Sequence, residues 1–303
     1  MNEMKEFLDF LSECQTQYNS CASCINNCPN NHYCKANEGQ MSICNQCIFH
    51  ILWAKHPSFS YGCPKITYHY ALRFFNRFSS EIAYAMAKYR FGEIKKYNVV
   101  SLGCGPGSEV YGFVRVLKAR KLPIVLDYQG YDQNKIWKNV QDISKDKLSQ
   151  SGHHIEFYCN DMFNDFVGFN GEGVDLLVMN YLLSDVQKFS NNVGQMEQFL
   201  SSVAFFVIMN NVRNILFNDN SYYGNKGKMD SGVQLMIRLI EEIKKWQVNV
   251  NASYRCFPFD GKRGTEQWRS YSKNGLLFPL LPNNNMDKNV RYCNSKQILV
   301  HIN

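Results

Sequence analysis

Beyond Gly92 the chain alternates short apolar runs with stretches of helical periodicity, and this alternation limits the fold more than any other feature. Seven runs read as strands: NVVSLG, PIVLDYQGYD, HIEFYCND, VDLLVMNYL, AFFVIMNNV, VNASYRCFPF and KQILVHIN. The first five are the more continuously apolar, as strands covered by helices on both faces are. Between them EVYGFVRVLKARK, QNKIWKNVQDISKDKLSQ, QMEQFLSSV and GVQLMIRLIEEIKKW repeat large apolar residues at spacings of three and four. The order predicts a doubly wound α/β sheet of seven strands. Only a loop separates the last two runs, so they are expected as an antiparallel pair at one edge.

What precedes the sheet has a different character. Residues 1–65 are rich in Cys, Asn and His and poor in long apolar periodicity, and read as a small appended module that needs a metal or cross-links to close. Its opening MNEMKEFLDFLSEC has the pattern of an amphipathic helix and lacks the basic start and apolar run of a secretory signal. Residues 66–92, beginning ITYHYALRFFNRFSSEIAYAMAKY, carry one apolar face and read as a connecting helix to a domain over 93–303. No window approaches the ~20 apolar residues of a membrane-spanning helix, so a cytoplasmic location with no membrane partner is expected.

The first strand runs into LGCGPGS, with Gly103, Gly105 and Gly107, and a helix follows. Without Cβ atoms such a backbone turns sharply and lets a ligand lie against its N–H groups, next to the partial positive charge of the helix start. Asp132 ends the second strand 25 positions after Gly107, near the spacing at which a carboxylate receives ribose hydroxyls. Asp161 ends the third strand, on the same crevice. A nicotinamide dinucleotide fold is the alternative, but its fingerprint is Gly-x-Gly-x-x-Gly, whereas Pro106 here separates Gly105 from Gly107.

With LGCGPGS, the acidic GYDQN and CNDMF in this order, the region from about 93 to 303 resembles a class I S-adenosylmethionine-dependent methyltransferase. The resemblance implies a Rossmann-like seven-stranded sheet with an antiparallel last strand, and S-adenosylmethionine as cofactor. It also implies a cofactor set of Ser101, Gly103, Cys104, Gly105, Gly107, Glu109, Asp132, Gln133, Asp161, Met162 and Asn180. The family usually carries an acid two positions before the first glycine, where this chain has Ser101, and Glu109 is the residue that would compensate.

VMNYLLSD ends the fourth strand at the edge where ligands of such sheets lie, without the Asn-Pro-Pro-Tyr of amino-group methylation. Methyl transfer from a sulfonium needs alignment, and a base only for a protonated acceptor. Asn180, Tyr181 and Ser184 are candidates for alignment and Asp185 for the base, and Ser184 or Asp185 equally suits a helix cap. Asn210, Asn211, Arg213, Tyr222, Tyr223, Lys226 and Lys228, expected after strand five, combine rings and charge as a base-stacking, phosphate-holding surface would. Lys262, Arg263, Trp268 and Arg269 read the same way, and both sets equally suit mobile surface loops.

Twelve cysteines include eight in the first 63 residues: Cys14, Cys21, Cys24, Cys28, Cys34, Cys44, Cys47 and Cys63. The Cys-x-x-Cys pairs 21/24 and 44/47, nineteen residues apart, match a four-thiolate zinc site. The other four would complete a second site, with His32, His50 or His56 able to replace one of them. CASCINNCP also matches the tail of a bacterial ferredoxin run, which keeps an iron–sulfur cluster open. A formal charge of +7, spread along the chain, hints at nucleic acid. MNYLLSD, the helix before the first strand and the cysteine cluster are also loosely similar to methyltransferase-like assembly factors of the mitochondrial small ribosomal subunit, which implies an RNA association. The expected function is RNA methylation supported by a zinc module. The alternatives are methylation of a protein or small molecule, and a cofactor-binding assembly or regulatory factor without turnover.

Overall fold

The computed structural model describes residues 4–21, 44, 47–48, 62–87, 89–149, 151–160, 173–189, 193–220, 231–246, 248–258, 278 and 294–303. Helices α1 (Lys5–Ser20) and α2 (Pro64–Met86) precede β1 (Lys96–Leu102), α3 (Ser108–Ala119), β2 (Val125–Asp132), α4 (Lys138–Ser149) and β3 (His154–Cys159). Then follow β4 (Leu176–Asn180), α5 (Leu183–Phe189), α6 (Val193–Met209), β5 (Asn214–Asn220), α7 (Ser231–Lys244), β6 (Val250–Pro258) and β7 (Asn294–Ile302). A short 3-10 turn, Lys135–Trp137, leads into α4.

The seven strands form one sheet in the order β3-β2-β1-β4-β5-β7-β6. Strands β1 to β5 run parallel, and β7 lies antiparallel between β5 and β6. This is the doubly wound sheet that the alternation predicts, with the Rossmann-like antiparallel last strand that the resemblance implies. The chain leaves β1 toward β2 on one side and later returns to β4 on the other. The crevice at that switch point is where ligands of such sheets lie. Register brings its components level: Leu102 pairs with both Tyr131 and Met179, so Gly103, Asp132 and Asn180 all end at one edge.

Alternation along each strand sends successive side chains to opposite faces. Val99, Leu176 and Leu216 join a core with Phe75, Val110 and Leu126. Their neighbours Val100, Leu177 and Ile215 join the opposite core with Phe199, Val203 and Leu239. Helix α1 belongs to the first core: Phe10 packs on Phe75 at 4.3 Å between ring centroids, and Phe7 on Phe278 at 4.5 Å. Residues 5–20 thus share the core of the sheet. Pro64, at the first turn of α2, has no N–H to lose there. Helices α2 and α3 cross so closely that a Cβ on Gly112 would lie 2.8 Å from the Ser79 carbonyl oxygen and from Ile82 Cβ.

The fifth strand requires a correction. AFFVIMNNV lies in α6 and the turn after it, and the strand is NILFNDN. Phe199, Leu200, Val203, Ala204 and Val207 are buried at helical spacing, while Phe205 and Met209 are exposed, so the run has a helical period masked by its high apolar content. Asn210, Asn211 and Arg213, expected after strand five, therefore come before it. Asn210 bonds back to the Phe206 carbonyl, Asn211 takes a left-handed φ of 48°, and Arg213 pairs with Asp175 at 2.8 Å. They end a helix and brace the sheet. Tyr222, Tyr223, Lys226, Lys228, Lys262, Arg263, Trp268 and Arg269 lie outside the described residues, as do His32, His50 and His56. Among the described residues, no helix is long and apolar enough to cross a membrane.

One contact makes the sheet pH-sensitive. The Leu126 amide donates to His153 Nδ1 at 3.1 Å, which requires a neutral ring, and burial, followed by Lys118, holds that imidazole below its usual pKa. A lowered folded pKa means that the unfolded chain takes up the proton first as pH falls. Stability is therefore expected to decline as pH drops below about 6.5. Urea titrations across pH 7 to 5 check this, and His153→Gln, whose amide oxygen can still accept the bond, is expected to lessen that decline and leave the share of His69, whose imidazole pKa burial lowers to about 4.

Candidate active site

The loop after β1 is shaped by three left-handed glycines: φ is 61° at Gly103, 50° at Gly105 and 78° at Gly107. The protein itself needs two of them. A Cβ on Gly103 would meet Leu182 Cδ1 at 2.5 Å, and one on Gly107 would meet the Phe157 ring at 2.6 Å. Gly105 differs, because the nearest atom to its Cβ position is Trp137 Cε2 at 3.8 Å. Of the three, the middle glycine alone would meet its neighbour, the Trp137 ring, at no more than ordinary van der Waals contact.

Gly105 is held on both sides of its peptide. Its N–H donates to Asp132 Oδ2 at 2.8 Å, and its carbonyl accepts from Gln141 Nε2 at 2.6 Å. The second oxygen of Asp132 accepts the Asn134 amide at 2.8 Å. One carboxylate therefore ties the end of β2 both to the glycine loop and to the turn before α4. Burial raises its pKa, opposed by the two amides. Gln133 is exposed, and its carbonyl accepts the Cys159 thiol at 3.6 Å. The Cys104 side chain lies inward, a Cβ on Gly130 would meet its sulfur at 2.8 Å, and burial pushes its thiol well up. It packs rather than reacts.

Ser101 and Glu109 lie together beneath the loop. The Ser101 hydroxyl donates to Glu109 Oε1 at 2.5 Å and the Tyr128 phenol donates to the same oxygen at 2.7 Å, with both Ser101 and Glu109 closed to solvent. A carboxylate thus reaches the end of β1 from the first turn of α3. Burial raises its pKa, and the Ser101 and Tyr128 hydroxyls and its own backbone amide oppose that. Its negative charge also suits the N-terminus of the helix.

The far wall of the crevice comes from α2 and the end of β4. Tyr70 packs on Trp137 at 5.2 Å, and Phe78 on Tyr181 at 4.4 Å. Tyr181 takes a left-handed φ of 58°, a costly conformation for a side chain of this size. Its hydroxyl accepts from Arg77 Nη2 at 2.7 Å and donates to Glu81 Oε1 at 3.1 Å, so its bonding capacity is used within the protein. Asn180 Oδ1 accepts from Asn218 Nδ2 at 2.8 Å. Asp185 sits in the first turn of α5, near Tyr70; burial raises the Tyr70 phenol and the Asp185 charge adds to it. At the start of α5, Asp219 Oδ2 accepts the Ser184 amide at 2.9 Å.

Arg77, Glu81, Asn218, Asp219 and Trp137 line or brace this crevice without having stood out in the sequence. Glu81 left a signal, as an acid on the buried face of a long helix, four residues after an arginine. Asp161, Met162, Cys24, Cys28 and Cys34 lie outside the described residues. Of the remaining thiols, Cys14 is a core side chain whose burial raises its pKa strongly, while Cys21 is partly buried and Cys44, Cys47 and Cys63 are buried. Among the described residues, no three His, Cys, Asp or Glu side chains are grouped to hold a metal.

No family model matches the chain, and no curated protein matches it. Among solved structures it is similar to magnesium protoporphyrin IX methyltransferase from Synechocystis PCC 6803 with bound SAM, at 9% identity and a TM-score of 0.41, covering 97% of each chain. It is also similar to a SAM-dependent methyltransferase from Aquifex aeolicus, at 11% identity and a TM-score of 0.38, over 77% of this chain and 92% of that one. The YcgJ protein of Bacillus subtilis is similar at 14% identity and a TM-score of 0.39, over 74% of this chain and 97% of that one.

Removing the carboxylate that joins loop and sheet is expected to be costly. Asp132→Ala leaves the Gly105 and Asn134 amides without their acceptor, at a loss of about 1–3 kcal/mol. Urea unfolding checks this, and Asp132→Asn, whose side-chain oxygen still accepts one of the bonds, is expected to lose less.

Proposed function

We propose that the chain is an S-adenosylmethionine-dependent methyltransferase acting on RNA. The observation that carries the reading is the Asp132 carboxylate on the Gly105 amide at the switch point of the sheet. Both of its hydrogen bonds among the described residues come from backbone amides, and each oxygen keeps lone-pair capacity for a ribose hydroxyl. At Gly105 a Cβ would meet no atom closer than the Trp137 ring at 3.8 Å, which suits a nucleoside lying close to bare backbone, and the set proposed to hold it is Gly103, Gly105, Gly107, Asp132 and Gln133. Ser101, Cys104 and Glu109 support the loop from below. Tyr70, Trp137 and Tyr181 offer aromatic faces beside the crevice, an environment that suits a cationic sulfonium. When bound, the cofactor supplies an electrophilic methyl group.

The chain's own task is then alignment, with Asn180 facing the acceptor and Asp185 placed to take a proton where the acceptor carries one. Tyr181 holds Arg77 and Glu81 in position. RNA as the acceptor is supported by the net charge of +7. A zinc site on Cys21, Cys24, Cys44 and Cys47 is proposed on their spacing, with iron–sulfur as the competitor; Cys14 is left out of it.

Calorimetry with S-adenosylmethionine, followed by tritium transfer to RNA and protein fractions, tests the proposal. Donor binding with label in RNA is expected. Label in protein alone removes RNA, and binding without transfer leaves a cofactor-binding assembly factor. Gly105→Val, which forces a branched side chain into φ near 50° and toward the Trp137 ring, is expected to abolish donor binding while the chain still unfolds cooperatively. Metal analysis with a visible absorption spectrum separates zinc from iron.

A further inference from the structure

A chain of buried amides runs beneath the crevice, and its hydrogen bonds have a direction. Gln297 Nε2 donates to the Glu81 backbone carbonyl at 2.7 Å. A carbonyl can only accept, so the orientation of the Gln297 amide is set. The same nitrogen faces Asn218 Oδ1 at 3.1 Å, which sets the orientation of Asn218 from one end. From the other end, Asn218 Nδ2 donates to Glu81 Oε2 at 2.7 Å. Asn218 Nδ2 therefore also faces Asn180, whose side-chain oxygen accepts from it at 2.8 Å. Glu81, Asn218 and Gln297 are all closed to solvent, which makes an inverted chain costly.

Asn180 ends this chain half-exposed, at the carboxyl edge of β4. Its oxygen is committed to Asn218, and its NH2 group makes no hydrogen bond to any described residue. Resting on the methyltransferase reading, we infer that the side-chain amide of Asn180 is locked as a hydrogen-bond donor for the methyl acceptor, which is an unpaired nucleobase presenting a ring nitrogen or keto oxygen. The partly exposed ring of Tyr181 beside it suits a planar heterocycle. Tyr181 does not compete for this role, because its hydroxyl is spent on Arg77 and Glu81. Glu81, Asn218 and Gln297 are positioning residues that act through Asn180.

Asn180→Asp isolates the inference. The variant keeps an oxygen for Asn218 but presents an acceptor instead of a donor to the crevice. The test records the Asn180 side-chain amide signals of 15N-labelled full-length protein, assigned by their loss in Asn180→Asp, with AMP, GMP, CMP and UMP added in turn. At least one nucleotide is expected to shift them. Its affinity is expected to fall about tenfold in Asn180→Asp, the worth of one hydrogen bond. Asn218→Leu is expected to broaden or move the same signals and to weaken the same nucleotide, although Asn218 does not touch it. Signals unmoved by all four nucleotides, or unchanged affinity in Asn180→Asp, overturn the inference. S-adenosylmethionine binding, measured on the same samples, separates the two failures. A shift without donor binding removes the methyltransferase reading and keeps the donor role, whereas donor binding without a shift removes only the donor role.

Discussion

The Asp132 carboxylate is the constraint on which the crevice depends. Its two oxygens accept the amides of Gly105 and Asn134, and so join the loop after β1, the end of β2 and the turn before α4, beside the Cys104 amide on the Tyr131 carbonyl. A buried carboxylate is costly unless hydrogen-bonded, and two backbone amides meet that need without a neutralising side chain. Gln141 grips the same peptide from the other side. The loop is preorganised, and the nearest side chain to the bare face of Gly105 is the Trp137 ring.

Around that loop the molecule concentrates buried polarity where a plain packing solution would use apolar residues. Glu109 lies under the loop on the Ser101 and Tyr128 hydroxyls, and Glu81 lies under the end of β4 on Arg77, Tyr181 and Asn218. Such groups contribute less to stability than apolar replacements of equal volume, and their use is positional. Helix α2 carries one of the two networks and also the aromatic wall, so the segment that reads as a connector is part of the site. Helix α1 in turn anchors α2 through Phe7 and Phe10. Substitutions in the first twenty residues are therefore coupled to the crevice through the core.

Elements with a local signature were legible in the sequence. The glycine spacing marked all three left-handed positions, the periodicity of ITYHYALRFFNRFSSEIAYAM marked α2, and the final two strands pair antiparallel as expected. Asp132 at the end of β2 was visible as an acid at the right distance from the glycines. Strand β5 was not, because Asn214, Asn218 and Asp219 make a buried strand look like a loop. Their partners lie far away in sequence: Asn218 bonds Glu81 across 137 positions. For the same reason Tyr181 read as a candidate for alignment rather than as a clamp, since its hydroxyl meets Arg77 across 104 positions. Local pattern shows which residues are polar; only the fold shows that they satisfy one another.

A crystal structure of the full chain grown with S-adenosylhomocysteine tests the central claim most directly. The account predicts the ribose hydroxyls on Asp132 and the remainder of the ligand over Gly105, with the Asp132–Gly105 bond retained. An empty crevice at saturating ligand, or the compound bound away from Asp132, would contradict it.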